Sequence, residues 1–224
     1  MSAAAAERIA IRIDDQLSVS GLVQAPPGSQ ACYVLAHGAG AGMAHSFMAA
    51  VAEGLAERHI ATLRYQFPYM ELGSKRPDSP PVAHAAVRAA VARASELLSP
   101  TRLYAGGKSF GGRMTSQAQA SAPLPGVDGL VFLGFPLHPA GTPSSERARH
   151  LRDVHVPMLF VQGTRDKLAE FDRIQTVVSD LGAAATLMRI AEADHSFHVL
   201  VRSGRNDDEV MKEMLDGISA WMLR

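Results

Sequence analysis

The ten residues LYAGGKSFGG, from Leu103 to Gly112, decide how this 224-residue chain folds. A short apolar run leads into the pattern Gly-x-Ser-x-Gly around Ser109, and the residues beyond it suit a helix. A strand, a tight turn and a helix joined in this way form a nucleophile elbow, in which a serine sits on a strained turn. Glycines two positions before and after the serine supply the space and backbone freedom that such a turn needs. The pattern therefore predicts Ser109 as a nucleophile.

Residues 107–109, Gly-Lys-Ser, also match the last three positions of a phosphate-binding pattern, Gly-x-x-x-x-Gly-Lys-Ser/Thr. That loop requires glycine at position 102, where this chain has Arg102. The sequence therefore argues against a nucleotide-phosphate site. Because glycine and serine are common residues, the elbow prediction depends on whether the other catalytic groups follow in the right order.

Bulk properties are those of an ordinary globular protein. The length suits one α/β domain over residues 1–224 with a full hydrophobic core. The formal charge is zero, so we expect neither a nucleic-acid nor a membrane partner, and no apolar run reaches the roughly 18 residues of a membrane span. The first seven residues lack the basic region of a signal peptide, and Cys32 is the only cysteine. We therefore expect a cytoplasmic protein, whose oligomeric state the sequence leaves open.

Strand-like and helix-like segments alternate along nearly the whole chain. Apolar runs predict strands over 9–13, 17–23, 31–36, 61–65, 103–105, 127–133, 158–162 and 186–190. Helical spacing predicts helices over 47–58, 82–98, 171–181 and 210–222, the last capped by Asn206 and Glu209. This order predicts a mostly parallel sheet with an antiparallel N-terminal hairpin.

A glycine-rich loop, residues 37–42, follows the strand at 31–36. An elbow serine that attacks an acyl carbon needs an oxyanion hole of two backbone amides, one directly after the nucleophile and one from such a loop. Those amides are predicted to belong to Phe110 and Ala39. A plain glycine-rich turn is the alternative. A dinucleotide-binding pattern fails, because Met43 and His45 stand where its third glycine belongs.

The predicted acid of the site is Asp166, which lies just beyond the strand at 158–162. Active sites of open α/β sheets lie at the carboxyl ends of the strands. The carboxylate would orient a histidine and stabilise its charged form. A helix cap is the alternative role for Asp166, and Asp172 is the alternative acid.

The predicted general base is His195, which lies between the strand at 186–190 and the last helix. His198 is the competing base, a solvated loop histidine is the plainer interpretation, and Asp194 is expected to order the loop. Ser109, Asp166 and His195 thus occur in the order Ser…Asp…His, each just after a strand. The acids and histidines near position 195 show no further ligand at a suitable spacing, so no metal is predicted.

Four other residues carry weaker predictions. Lys108 either faces the cleft and favours an anionic substrate or pairs with a nearby carboxylate. His45 either lines the pocket or caps a helix, with capping favoured. We expect Cys32 to be a buried core residue and Arg113 to make structural contacts.

Taken together, the motifs resemble those of the α/β-hydrolases, close to the compact dienelactone-hydrolase-like proteins. Within these, the chain most resembles the small family containing the testis-expressed-thirty and NSL-complex-subunit-three hydrolase-like domains. The resemblance runs from about Gly21 to the C-terminus and is carried by residues 37–40, 106–113, 134–139 and 194–197. It implies a three-layer α/β/α sandwich without a large cap, since residues 135–152 leave little room for one. Some members of the narrower family look like interaction proteins.

We therefore expect a serine hydrolase that cleaves an ester, a thioester or a comparable acyl bond of a small-molecule substrate. Ser109 would attack the acyl carbon, His195 would move the proton and Asp166 would orient His195. The amides of Ala39 and Phe110 would hold the oxyanion, and no cofactor is required. The alternative is a hydrolase-like binding or scaffold protein whose catalytic residues are idle.

Overall fold

The fold is built on one eight-stranded sheet in a computed structural model that describes residues 5–224. The strand order is β1-β2-β4-β3-β5-β6-β7-β8. Residues 1–4, on which part of the signal-peptide prediction rests, lie outside the described residues. The strands are β1 (Glu7–Arg12), β2 (Ser18–Gln24), β3 (Ala31–Ala36), β4 (Ile60–Tyr65), β5 (Leu103–Lys108), β6 (Val127–Leu133), β7 (Met158–Gly163) and β8 (Ala185–Ile190).

Strands β3 to β8 are all parallel, and β2 runs against both of its neighbours, β1 and β4. The carboxyl ends of β3, β5, β6, β7 and β8 therefore meet at one edge of the sheet. Every residue of β3 and β4 is buried, as expected for strands covered on both faces. The predicted parallel sheet with an antiparallel hairpin is confirmed.

Helices cover both faces of the sheet and make it the middle of three layers. Residues of α1 and α6 share one apolar core with one face of the sheet, and residues of α3, α4 and α5 share a second core with the other face. None of the helices within residues 5–224 is long and apolar enough to cross a membrane. The helices are α1 (Ser46–Ala56), α2 (Pro68–Glu71), α3 (Pro80–Leu98), α4 (Phe110–Ser121), α5 (Phe171–Leu181) and α6 (Asp207–Met222).

Apart from shifts of a few residues at element ends and two three-residue 3-10 helices at Gly182–Ala184 and Val201–Ser203, three features differ from the sequence prediction. β5 extends to Lys108, because its glycines continue the ladders with β3 and β6 although they carry no side chain for an apolar pattern. The four-residue helix α2 and a 3-10 helix at Glu146–Asp153 were not predicted, since neither is long enough to show a helical period. The latter lies in the connection from β6 to β7, which contains no large cap.

Candidate active site

Ser109 is the single residue between the end of β5 and the start of α4. Its backbone has φ +50° and ψ −113°, a conformation that residues with side chains rarely adopt. Such strain costs about 1–3 kcal/mol and persists only where the surrounding structure enforces it. The predicted sharp strand–turn–helix geometry at the serine is therefore present.

The flanking glycines are required by close backbone packing. A Cβ atom on Gly107 would lie 2.2 Å from the Ala36 carbonyl oxygen, and one on Gly111 would lie 2.6 Å from the same oxygen. Backbone atoms of a central strand cannot move away as a flexible side chain could. The two glycines of the Gly-x-Ser-x-Gly pattern thus allow the elbow to pack in direct contact with the end of β3.

A chain of hydrogen bonds joins Ser109, His195 and Asp166. The Nε2 of His195 lies 2.9 Å from the Ser109 Oγ, and its Nδ1 lies 2.7 Å from the Asp166 Oδ2. Because an ionised carboxylate only accepts hydrogen bonds, Nδ1 carries the proton and Nε2 is free to accept one from the serine. The Asp166 side chain is fully buried, whereas the His195 side chain is 23% exposed and reachable from solvent.

Asp166 is held by two donors besides the histidine. The side-chain amide of Gln162 donates to Oδ2 at 2.6 Å, and the amide of Leu168 donates to Oδ1 at 2.8 Å. The side-chain oxygen of Gln162, Oε1, accepts in turn from the Phe135 amide at 2.9 Å. These bonds satisfy a buried charge and fix its direction. Sequence reasoning missed Gln162, although a polar residue at the end of an apolar strand could have indicated it.

The loop after β3 lies beside the nucleophile. A Cβ atom on Gly38 would be 3.8 Å from the Ser109 Cβ. Ala39 follows Gly38 in this loop, and Phe110 is the first residue of α4. Neither the Ala39 nor the Phe110 amide makes a hydrogen bond within residues 5–224, so both N–H groups are free to bind an oxygen atom. Their oxyanion role remains a prediction.

His37 anchors this loop, a role that the sequence analysis did not assign. Its Nδ1 lies 2.8 Å from the Gly38 carbonyl oxygen, and its Nε2 accepts a 3.1 Å hydrogen bond from the Phe67 amide. The ring is therefore neutral, and burial lowers the pKa of His37 to about 4. The Tyr69 hydroxyl accepts a further bond from the Gly40 amide at 3.3 Å. The loop is thus tied to the segment after β4.

The alternative acid and base lie in other contacts. The His198 Nδ1 is 2.8 Å from the Asp207 carboxylate at the start of α6, and that pairing raises the pKa of His198. Asp172 is exposed in the first turn of α5. Asp194 accepts from the Ser196 and His198 amides, which is the loop-ordering role expected for it. The geometry therefore favours Asp166 and His195.

The remaining candidates are placed as follows. The His45 ring accepts from the Phe47 amide at the start of α1, which is the capping role. Cys32 is fully buried, and burial raises the pKa of its thiol to about 12. The Arg113 guanidinium packs 5.9 Å from the centre of the Phe110 ring. Within residues 5–224 no three histidine, cysteine or acidic side chains gather as metal ligands would.

Lys108 lies beside the hydrogen-bonded chain and pairs with a backbone oxygen. Its ammonium donates to the His195 carbonyl oxygen at 2.6 Å. Burial lowers the pKa of Lys108 to about 8, and the charges of Asp166 and Asp194 partly offset that effect. This contact is not the carboxylate pair considered from the sequence, and the binding of an anionic substrate by Lys108 stays a prediction.

Comparison with known proteins identifies the same architecture. A family model described as an alpha/beta hydrolase domain matches residues 29–223. An a/b serine hydrolase without a lid from Xanthomonas campestris is 18% identical, with a TM-score of 0.74 over 97% of this chain and 95% of that one. A dienelactone hydrolase from Anabaena variabilis is 17% identical, with a TM-score of 0.76 over 98% and 97%. An esterase domain from Rhodothermus marinus is 14% identical, with a TM-score of 0.71 over 97% of each chain. At these identities the structural likeness shows the fold alone.

Proposed function

Because the chain belongs to the alpha/beta hydrolase domain family, we propose that it is a serine hydrolase that cleaves an ester, a thioester or a comparable acyl bond. The observation that carries this proposal is the hydrogen-bonded chain from Ser109 through His195 to the buried Asp166. A nucleophile, a base and an orienting acid in one line are the groups that acyl transfer requires.

The reaction begins when the Ser109 Oγ attacks the acyl carbon while His195 Nε2 takes the hydroxyl proton. The negative charge that develops on the acyl oxygen is held by the amides of Ala39 and Phe110. His195 then gives its proton to the leaving group, and an acyl-enzyme on Ser109 results. Water activated by His195 hydrolyses this ester, and Asp166 stabilises the imidazolium in both halves of the reaction.

The proposed substrate is a small acyl compound that reaches an open site. Its support is the absence of a large cap between β6 and β7 and the half-buried position of Ser109 at the carboxyl edge of the sheet. Neighbours of the same fold include a serine hydrolase without a lid and an esterase domain. We further propose that the chain acts as one domain in the cytoplasm without a cofactor. Membership of the narrower testis-expressed-thirty family stays a prediction.

The geometry favours an enzyme over an idle scaffold. A serine held at φ +50° and a buried carboxylate are both costly to the folded state. A scaffold gains nothing from either. An enzyme gains a projected nucleophile and an oriented base. We therefore place catalysis ahead of partner binding.

The test is covalent labelling with a fluorophosphonate, read by intact mass. This reagent reports an activated serine without knowledge of the natural substrate. We expect one adduct on the wild type, none on Ser109→Ala, and one on Ser179→Ala, which removes an exposed serine from α5. A panel of esters and thioesters would then define the substrate. A well-folded wild type that takes no adduct makes the scaffold the better interpretation.

A further inference from the structure

The side chain of Lys108 passes between the two loops on which the proposed reaction depends. A Cβ atom on Gly38, next to the predicted oxyanion amide, would lie 3.5 Å from the Lys108 Cγ. At its other end the ammonium donates to the carbonyl oxygen of His195 at 2.6 Å. One side chain, directly before the nucleophile, thus passes close to the loop after β3 and hydrogen-bonds the loop that carries the base.

The ammonium occupies a confined space. A Cβ atom on Gly134 would lie 3.1 Å from the Lys108 Nζ and 3.4 Å from the His195 Nδ1, so the glycine leaves room for both groups. On another side the Phe197 ring has its centre 5.5 Å from Nζ. Phe47 stacks on Phe197 with ring centres 5.8 Å apart. The surroundings therefore restrict where the ammonium can go.

A half-buried cation in this place is not explained by stability. Within residues 5–224 no carboxylate oxygen lies closer than 4.0 Å to the Lys108 Nζ, which is the limit for an ion pair. The charged or titratable groups that act on it are Asp166 and Asp194, together with His195 itself. Removing an ammonium from water without a close counter-ion is unfavourable. Groups that carry such a cost beside a reactive centre are candidates for a functional role.

We propose that Lys108 is a positioning residue, whose ammonium holds the backbone of His195 against the nucleophile elbow so that the base faces Ser109. This inference rests on the proposed function and adds a residue to it. β5 and β8 are separated in the sheet by β6 and β7, so the loops after them do not share a backbone ladder. The Lys108 bond joins them at the site. A displacement of about 1 Å between nucleophile and base lowers a rate on the order of 100-fold.

The first test compares Lys108→Met with the wild type and with Lys75→Met, an exposed control in the loop after α2. The methionine keeps an unbranched stem and removes the donor and the charge. We expect the rate of fluorophosphonate labelling at Ser109 to fall about 10- to 100-fold. We also expect the melting temperature to stay equal or rise, because a half-buried cation without a close counter-ion has been removed. Lys75→Met should match the wild type in both measurements.

The second test is the pH dependence of labelling in the wild type and in Lys108→Arg, and it does not depend on the folding of Lys108→Met. In the wild type the ammonium loses its charge as the pH rises through about 8, which weakens the bond to the His195 carbonyl. We expect the labelling rate to fall above that pH. Arginine stays charged throughout, so Lys108→Arg should label measurably and without this alkaline fall.

The outcomes separate the two proposals. A wild type that is never labelled removes the proposed function, and the positioning role with it. A labelled wild type with equal rates in Lys108→Met overturns only the role of Lys108. A Lys108→Met protein that loses labelling together with thermal stability shows a structural role and also overturns it, as does an alkaline fall that persists in Lys108→Arg.

Discussion

The side-chain amide of Gln162 donates a 2.6 Å hydrogen bond to the Asp166 Oδ2, the same oxygen that faces the His195 Nδ1. The glutamine is fully buried and also accepts from the Phe135 amide. It therefore connects the end of β7 with the start of the β6–β7 connection, directly behind Asp166. Gln162 and His195 together orient the Asp166 carboxylate.

We expect Gln162→Leu to lower both stability and reactivity. The change leaves the Phe135 amide and one carboxylate lone pair without a partner, which costs about 1–3 kcal/mol of unfolding free energy. A freer carboxylate orients His195 less well, so labelling of Ser109 should slow about tenfold. Urea unfolding and labelling rates measure the two effects. Gln175→Leu on the exposed side of α5 is the control, and equal behaviour of both variants would show that Gln162 has no special role.

Backbone strain at Ser109 leads to a prediction about stability. Glycine adopts φ +50° without the steric cost that serine and alanine share. We expect Ser109→Gly to unfold at a higher temperature than Ser109→Ala, by the equivalent of roughly 1 kcal/mol, because the relief of strain exceeds the entropy that glycine adds to the unfolded chain. Neither variant should take a fluorophosphonate adduct. A glycine variant that is the less stable of the two would mean that the turn is not strained.

The buried imidazole of His37 predicts how stability changes with pH. Its pKa is lowered from 6.5 to about 4 in the folded protein, so between these values the unfolded chain binds more protons than the folded one. Stability therefore falls as the pH drops from 6.5 toward 4. His150, whose pKa burial also lowers to about 4, adds to the same trend. We expect His37→Gln to lose less stability than the wild type between pH 7 and pH 5 in urea unfolding. An unchanged loss in the variant would assign the trend to other groups.

The fold could be predicted from the sequence because its signals are local. Apolar runs locate all eight strands, and helical spacing locates α1, α3, α5 and α6 to within a few residues. The cap of α6 is present as predicted, with Asn206 and Glu209 bonding each other's backbone. The short helix α2 could not be predicted, because its four residues cover barely one turn.

The proposed site could be predicted from the sequence only where one residue type at one position would carry the chemistry. Ser109, Asp166 and His195 each follow a strand in a fixed order, and the structure brings them together. His37 lies in the glycine-rich loop after β3, and Lys108 lies directly before Ser109 in the Gly-x-Ser-x-Gly pattern. Their contacts join residues 30 and 87 positions apart, and a single sequence does not state which side chains will meet across such distances. These contacts depend on how the loops pack against each other.

The two histidines of the loop after β8 provide the last prediction, since they differ in partner rather than in type. His195 faces Ser109, whereas His198 faces Asp207 on the surface. We expect His195→Ala to reduce labelling of Ser109 on the order of 10³-fold or more, with the fold retained. His198→Ala should keep a rate close to the wild type, because an exposed ion pair contributes little and does not touch the nucleophile. Labelling rates of the two variants show which histidine acts as the base, and circular dichroism shows whether each variant keeps the fold. If His198→Ala is the variant that loses reactivity, the base has been misassigned, and the loop must rearrange before the reaction to bring His198 to the serine.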